Sequence, residues 1–161
     1  MEVVVLPLPA ASPQSSPHPC ETQAPYKQFD FWLGEWDVTA KGKVIAHSSI
    51  QKIIGSCVVY ENYTQPDGYS GKSINFYDAT LRQWRQTWVD SSGNVSEFVG
   101  AVKDGAMQYK GESHRQDGRR VFRTMTLIPL GPDRVRQSSE FSVDDGKTWQ
   151  PMYDFPYVRQ K

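Results

Sequence analysis

Gly71-Lys-Ser-Ile-Asn-Phe-Tyr-Asp-Ala-Thr-Leu-Arg-Gln-Trp-Arg-Gln-Thr-Trp-Val-Asp90 holds two runs that alternate with a period of two around a short Asp78-Ala79 break. Alternation of this kind puts successive side chains on opposite faces of a strand. In the second run Trp84, Gln86 and Trp88 share one face, while Gln83, Arg85 and Thr87 share the other. The second set suits a solvent-facing wall, so the two tryptophans are expected to point inward. In the first run Ser73, Asn75 and Tyr77 alternate with Lys72, Ile74 and Phe76. Lys72 prefers water, which assigns Ser73, Asn75 and Tyr77 to the interior.

The same texture extends outward along the chain. From residue 35 onward, turn signals recur every eight to twelve residues between β-branched and aromatic runs. Strands are expected at Gly34–Ala40, Lys43–Ile54, Cys57–Thr64, Gly71–Tyr77, Arg82–Asp90, Val95–Val102, Ala106–Ser113, Arg120–Ile128, Arg134–Ser142 and Thr148–Tyr157. Most of the connections contain a glycine able to take positive φ, as tight hairpins require. Only Tyr26–Leu33 reads as a short helical turn. About ten strands joined by short turns exclude parallel βαβ units, which need long crossovers. A meander of that length closes to remove its edges, predicting an all-β, antiparallel up-and-down barrel. A two-sheet sandwich is the competitor, but its Greek-key arches would need longer connections.

Composition narrows the function. The chain has 161 residues, enough for one domain, with 18 Lys plus Arg against 18 Asp plus Glu. That balance argues against nucleic-acid and membrane-surface partners. No apolar run approaches the roughly 18 residues of a membrane-spanning helix. Residues 1–25 carry six of the eleven prolines and read as a flexible tail ahead of a barrel domain over 26–161. Met1–Ser12 faintly resembles the end of an export signal, although it lacks a basic start and Pro7 and Pro9 interrupt it. Cys20 and Cys57 leave three readings open: a disulfide, two separate thiols or a reactive pair. Two cysteines without C-x-x-C spacing make no zinc site, and no metal site is expected.

Parity along the other strands adds to the interior. Val59, Glu61 and Tyr63 share a face, as do Met107 and Tyr109. Arg123 falls in a row with Val121, Met125 and Leu127, and Gln137 lies between Val135 and Ser139. An interior holding Glu61, Asn75, Gln86, Arg123 and Gln137 among Trp and Tyr is too polar for a plain core and suits a cavity with a few placed polar groups. Candidate ligand-binding residues are therefore Tyr63, Asn75, Tyr77, Trp84, Gln86, Trp88, Arg123 and Gln137. Glu61 is the one candidate catalytic residue, as a desolvated general base. Two rivals stand beside a binding barrel for a small, partly apolar or aromatic ligand. One is a small-metabolite enzyme using Glu61; the other is a structural barrel in which buried polar groups, such as a Glu61–Arg123 pair, satisfy one another.

Phe29-Asp-Phe-Trp-Leu-Gly-Glu-Trp-Asp-Val38 is the most specific stretch. A helical turn followed by Gly-x-Trp resembles the entry of lipocalin-like (calycin) barrels. In these the Trp plugs the closed end and an arginine of the last strand packs over it; here these are Trp36 and Arg159. With Gly55-Ser-Cys57, Glu61, the Gly71–Asp78 and Trp84–Asp90 blocks, Val135-Arg-Gln137 and Tyr157-Val-Arg159, the chain resembles an uncharacterised family of small bacterial calycin-like proteins over about residues 26 to 160. The resemblance implies a calycin-like barrel and often an extracytoplasmic location, so periplasmic or secreted is favoured over cytoplasmic. It supplies no activity.

Nitrobindin-like haem barrels share the shape but hold iron through a histidine near the C-terminal end. This chain has only His18, His47 and His114, none in the last two expected strands, so haem is disfavoured and no cofactor is expected. Ser142-Val-Asp-Asp-Gly-Lys-Thr-Trp149 matches an Asp-box. A single copy excludes a propeller and reads as a hairpin device with Trp packed beneath the turn.

Overall fold

The structure, a computed structural model, describes residues 17–161. Met1–Ser12, with its export-like pattern, lies outside the described residues. Of the expected tail, residues 17–25 contain the helical turn α1 (Pro19–Thr22) and the start of a 3-10 turn, Ala24–Lys27. A second 3-10 turn spans Asp30–Trp32, so the short N-terminal helical segment takes the form of separate turns. Proline at the start of both earlier turns fits, since its missing N–H would have no helical partner there.

Ten strands follow: β1 (Gly34–Ala40), β2 (Lys43–Ile53), β3 (Val58–Thr64), β4 (Ser70–Asp78), β5 (Gln83–Asp90), β6 (Val95–Lys103), β7 (Ala106–His114), β8 (Arg120–Pro129), β9 (Arg134–Ser142) and β10 (Gln150–Arg159). Each pairs antiparallel with its sequence neighbours, and β1 pairs with β10, closing the barrel. The closing seam is short: Trp36 opposes Arg159, Asp37 opposes Val158 and Val38 opposes Tyr157. Above it Pro151 and Pro156 pair with Glu140 and Arg136 of β9 and face no β1 partner across the ladder, an edge-like position of the kind proline tolerates.

The last strand begins at Gln150 rather than Thr148 because the Asp-box turn retains Thr148. Asp144 Oδ1 accepts from Ser142 Oγ (2.7 Å) and from Thr148 N (2.9 Å), and Ser142 Oγ accepts from Gly146 N (2.9 Å). Gly146 takes φ +83°. Trp149 donates its Nε1–H to the Gly146 carbonyl and lies against that glycine, with 40 % of its surface exposed.

One end of the barrel is solid. Phe29, Trp32, Trp36, Trp84, Met107 and Leu127 are buried together there, each such side chain contributing about 1.5–3 kcal/mol on burial. Phe29 stacks on Trp32 at 5.0 Å and meets Trp84 edge-on at 5.6 Å. The Trp36 Nε1–H donates to the Trp32 carbonyl at 2.8 Å, and the Arg159 guanidinium lies 4.2 Å from the Trp36 ring centroid. Gly34 makes this contact possible: its φ is +127°, and a Cβ there would stand 2.1 Å from Arg159 Nη1. A disulfide joins Cys20 to Cys57 in the β2–β3 turn, resolving the three readings of that pair. It ties the N-terminal turns over this end and closes a 37-residue separation, which in the chain-entropy account stabilises by about 4 kcal/mol.

Candidate functional site

The opposite end, where the turns after β3, β5, β7 and β9 gather, opens into a cavity of about 600 Å³. The β-strand alternation reaches into it as parity predicts. Glu61 and Tyr63 come from β3, Gln86 and Trp88 from β5, Arg123 and Met125 from β8 and Gln137 from β9. Of the candidates named from sequence, Glu61, Tyr63, Gln86, Trp88, Arg123 and Gln137 thus line one space.

The other three do not line it. Trp84 points inward but is 2 % exposed, wedged against Phe29, with its Nε1–H donating to Gln28 Oε1. Tyr77, which opposes Trp84 in register, meets Tyr26 edge-on at that same end. Asn75 is buried midway and acts as a brace. Its Nδ2 donates to the Val59 carbonyl and to Ser73 Oγ, and its Oδ1 accepts from Gln86 Nε2 (2.7 Å) and Tyr109 OH (3.2 Å). The amide that fixes Gln86 is therefore fully occupied.

Several lining residues were not among the candidates. Tyr153, Phe155 and Tyr157 alternate along β10 and face inward, with Tyr153 and Phe155 stacked at 4.9 Å and nearly parallel. Their spacing at every second position was a readable signal. Trp88 and Tyr69 pack around Tyr63, each edge-on to its ring, at 6.0 and 6.3 Å. Gly71 leaves room for Trp88, because a Cβ there would lie 2.1 Å from its ring. Asp90, readable from sequence only as a turn carboxylate, accepts from Tyr69 OH (2.9 Å), Trp88 Nε1 and Asn94. Partial burial works against its ionisation, but the Asn94, Tyr69 and Ser92 donors prevail and hold it below the usual carboxylate range. His114 is the one histidine in the lining, exposed at the rim.

Glu61 lies at the floor, fully buried. Its carboxylate accepts from Ser48 Oγ and Ser73 Oγ at 2.9 Å each and from Tyr157 OH at 3.5 Å. Burial pushes its pKa from 4.5 up to about 7, with the three hydroxyl donors pulling partly back. The same burial, and then Glu61 itself, drive the Tyr157 hydroxyl well above its ordinary value.

The Glu61–Arg123 pair that the structural-barrel rival offered does not form: among the described residues neither makes an ion pair. Arg123 reaches only hydroxyls, Ser96 Oγ at 3.1 Å and Ser139 Oγ at 3.4 Å, with its plane 5.3 Å from the Phe98 centroid. Its buried Nε–H has no partner, and Gln137 Oε1 receives no donor. Among the described residues no cluster of three His, Cys, Asp or Glu is arranged to hold a metal, and no helix is long and apolar enough to cross a membrane.

Compared with protein-family models and with curated proteins, the chain matches none. The likeness to calycin barrels therefore rests on the closed ten-stranded meander and on the Gly34, Trp36 and Arg159 contact.

Proposed function

We propose that this barrel binds a small, partly apolar or aromatic molecule inside its open end. The observation that carries the reading is the 600 Å³ cavity with aromatic walls and a few polar groups, set above the closely packed end of the same core. A pocket of that size and lining is what small-ligand sites have in common. Tyr63, Trp88, Tyr153 and Phe155 supply ring surface, while Gln86, Arg123 and Gln137 orient polar groups. Trp84, Tyr77 and Asn75 support the site from behind.

The calycin-like kinship belongs to this proposal, as does a periplasmic or secreted location, which suits a disulfide. The proposal includes no cofactor.

Native mass spectrometry of protein purified from its source tests the reading. A bound small molecule whose release raises tryptophan emission, with the change lost in Trp88→Phe, supports it. A clean apo mass together with no quenching across a broad metabolite panel overturns it.

Glu61 gives a second reading its footing. A carboxyl with a pKa of about 7 facing a cavity suits general acid or base work near neutral pH. Glu61→Gln separates the two: an enzyme loses turnover while keeping affinity, whereas a binder has no turnover to lose.

A further inference from the structure

Arginine carries five N–H donors and no acceptor, so its satisfaction can be counted. Arg123 uses two of them on hydroxyls, its Nε–H is buried without a partner, and no carboxylate among the described residues neutralises it. Holding a partly desolvated cation without a counter-charge is costly, and an anion delivered to it recovers that cost.

The three carboxylates of the cavity lining are not that anion. Glu61 is taken up by Ser48, Ser73 and Tyr157, Asp90 by Tyr69, Trp88 and Asn94, and Asp67, exposed at the rim, by the Tyr69 backbone N–H. The unmet donor capacity of the cavity is therefore concentrated in one guanidinium.

The ring order of the strands adds a shape. β5 and β10 stand opposite each other across the barrel, five strands apart in either direction, and so do β3 and β8. Trp88 on β5 thus faces the stacked Tyr153–Phe155 pair on β10, and Glu61 on β3 faces Arg123 on β8. The two axes cross. A flat ring between the aromatic walls would project its substituents toward the cation on one side and the carboxyl floor on the other.

Resting on the binding function proposed above, we propose that the cavity selects small planar aromatic carboxylates, with the carboxylate paired to Arg123 and the ring between Trp88 and the Tyr153–Phe155 pair. A guanidinium and a carboxylate match as a two-pronged, charge-assisted pair, which a neutral amide of the same shape cannot reproduce. The ring walls alone would accept either molecule.

The test uses 2-naphthoate and its neutral isostere 2-naphthamide, titrated into the full chain by calorimetry and tryptophan quenching. Naphthoate is expected to bind at least ten times more tightly, with affinity falling as salt rises. In Arg123→Gln the ratio should collapse to within about twofold while amide affinity holds. Arg123→Lys should retain part of the preference, and both variants are checked for native near-UV dichroism. Equal wild-type affinities, or a preference that survives Arg123→Gln, would overturn the anion assignment and leave the cavity function standing. Failure of both probes to bind the wild-type chain would overturn the cavity function with it.

Discussion

The two ends of this barrel are made from the same ten strands and differ in what their inward positions carry. At the closed end Phe29, Trp32, Trp36 and Trp84 fill the space to near-zero exposure, and Arg159 is spent on a ring and on the Leu33 and Pro132 carbonyls. At the open end the aromatic rings stand back against the walls, and Arg123 faces a cavity with donors unused. An arginine that packs over an indole and bonds to backbone carbonyls is structural; Arg123, bonded to two hydroxyls with its Nε–H unpartnered, keeps donor capacity beside an opening. The contrast teaches that close packing and open space have been divided along the barrel axis, and the division can be tested.

The largest effect is expected at the packed end. Trp36→Ala removes a wholly buried ring and the surface on which Arg159 lies, and should cost about 4 kcal/mol in denaturant unfolding. A loss under about 1 kcal/mol would mean that this end is not the stabilising core.

Next is the floor that separates the two regions. Glu61 titrates at about 7 when folded, against 4.5 for the free group. Between those values the folded chain keeps a proton that the unfolded chain has released. The stability tied to this group is therefore complete below about pH 4.5 and is lost as pH rises through 7, by roughly 3 kcal/mol in all. Urea midpoints across pH 4.5 to 8 should show this slope, and Glu61→Gln should flatten it. An unchanged slope in the variant would assign the titration to another group.

The smallest stability effect is expected at the mouth. Trp88→Ala removes a half-buried ring and should cost about 1 kcal/mol, well below Trp36→Ala. It should nevertheless abolish most ligand-dependent quenching in a fluorescence titration. Equal costs for the two tryptophans would show the mouth to be core, and the division between the ends would fail.

How much of this could be read from the chain differs between fold and site. The strands, the closing meander and the inward sets on β3, β4, β5, β8 and β9 followed from alternation and turn residues. The same alternation could not divide Trp84 from Trp88. Parity says which face a residue occupies and nothing about depth. Four residues at about 3.3 Å each put the two positions roughly 13 Å apart along the strand, one ring in the plug and one in the cavity. Tyr77 fell to the closed end for the same reason. The β10 aromatics were readable from their spacing, whereas the hydrogen bonds that saturate Asp90 bring together Tyr69, Trp88 and Asn94 only once β4, β5 and the turn before β6 are in place.

What the sequence determined by itself was local: periodicity, turn chemistry and charge balance act over a few residues and set the strands and their faces. What only the tertiary structure decided was pairing at a distance. Arg123 and Glu61 lie on opposite walls and reach different partners, Cys20 meets Cys57, and Arg159 crosses from the last strand to Trp36 on the first. These depend on barrel closure and on height along its axis, two quantities that a one-dimensional alternation does not contain.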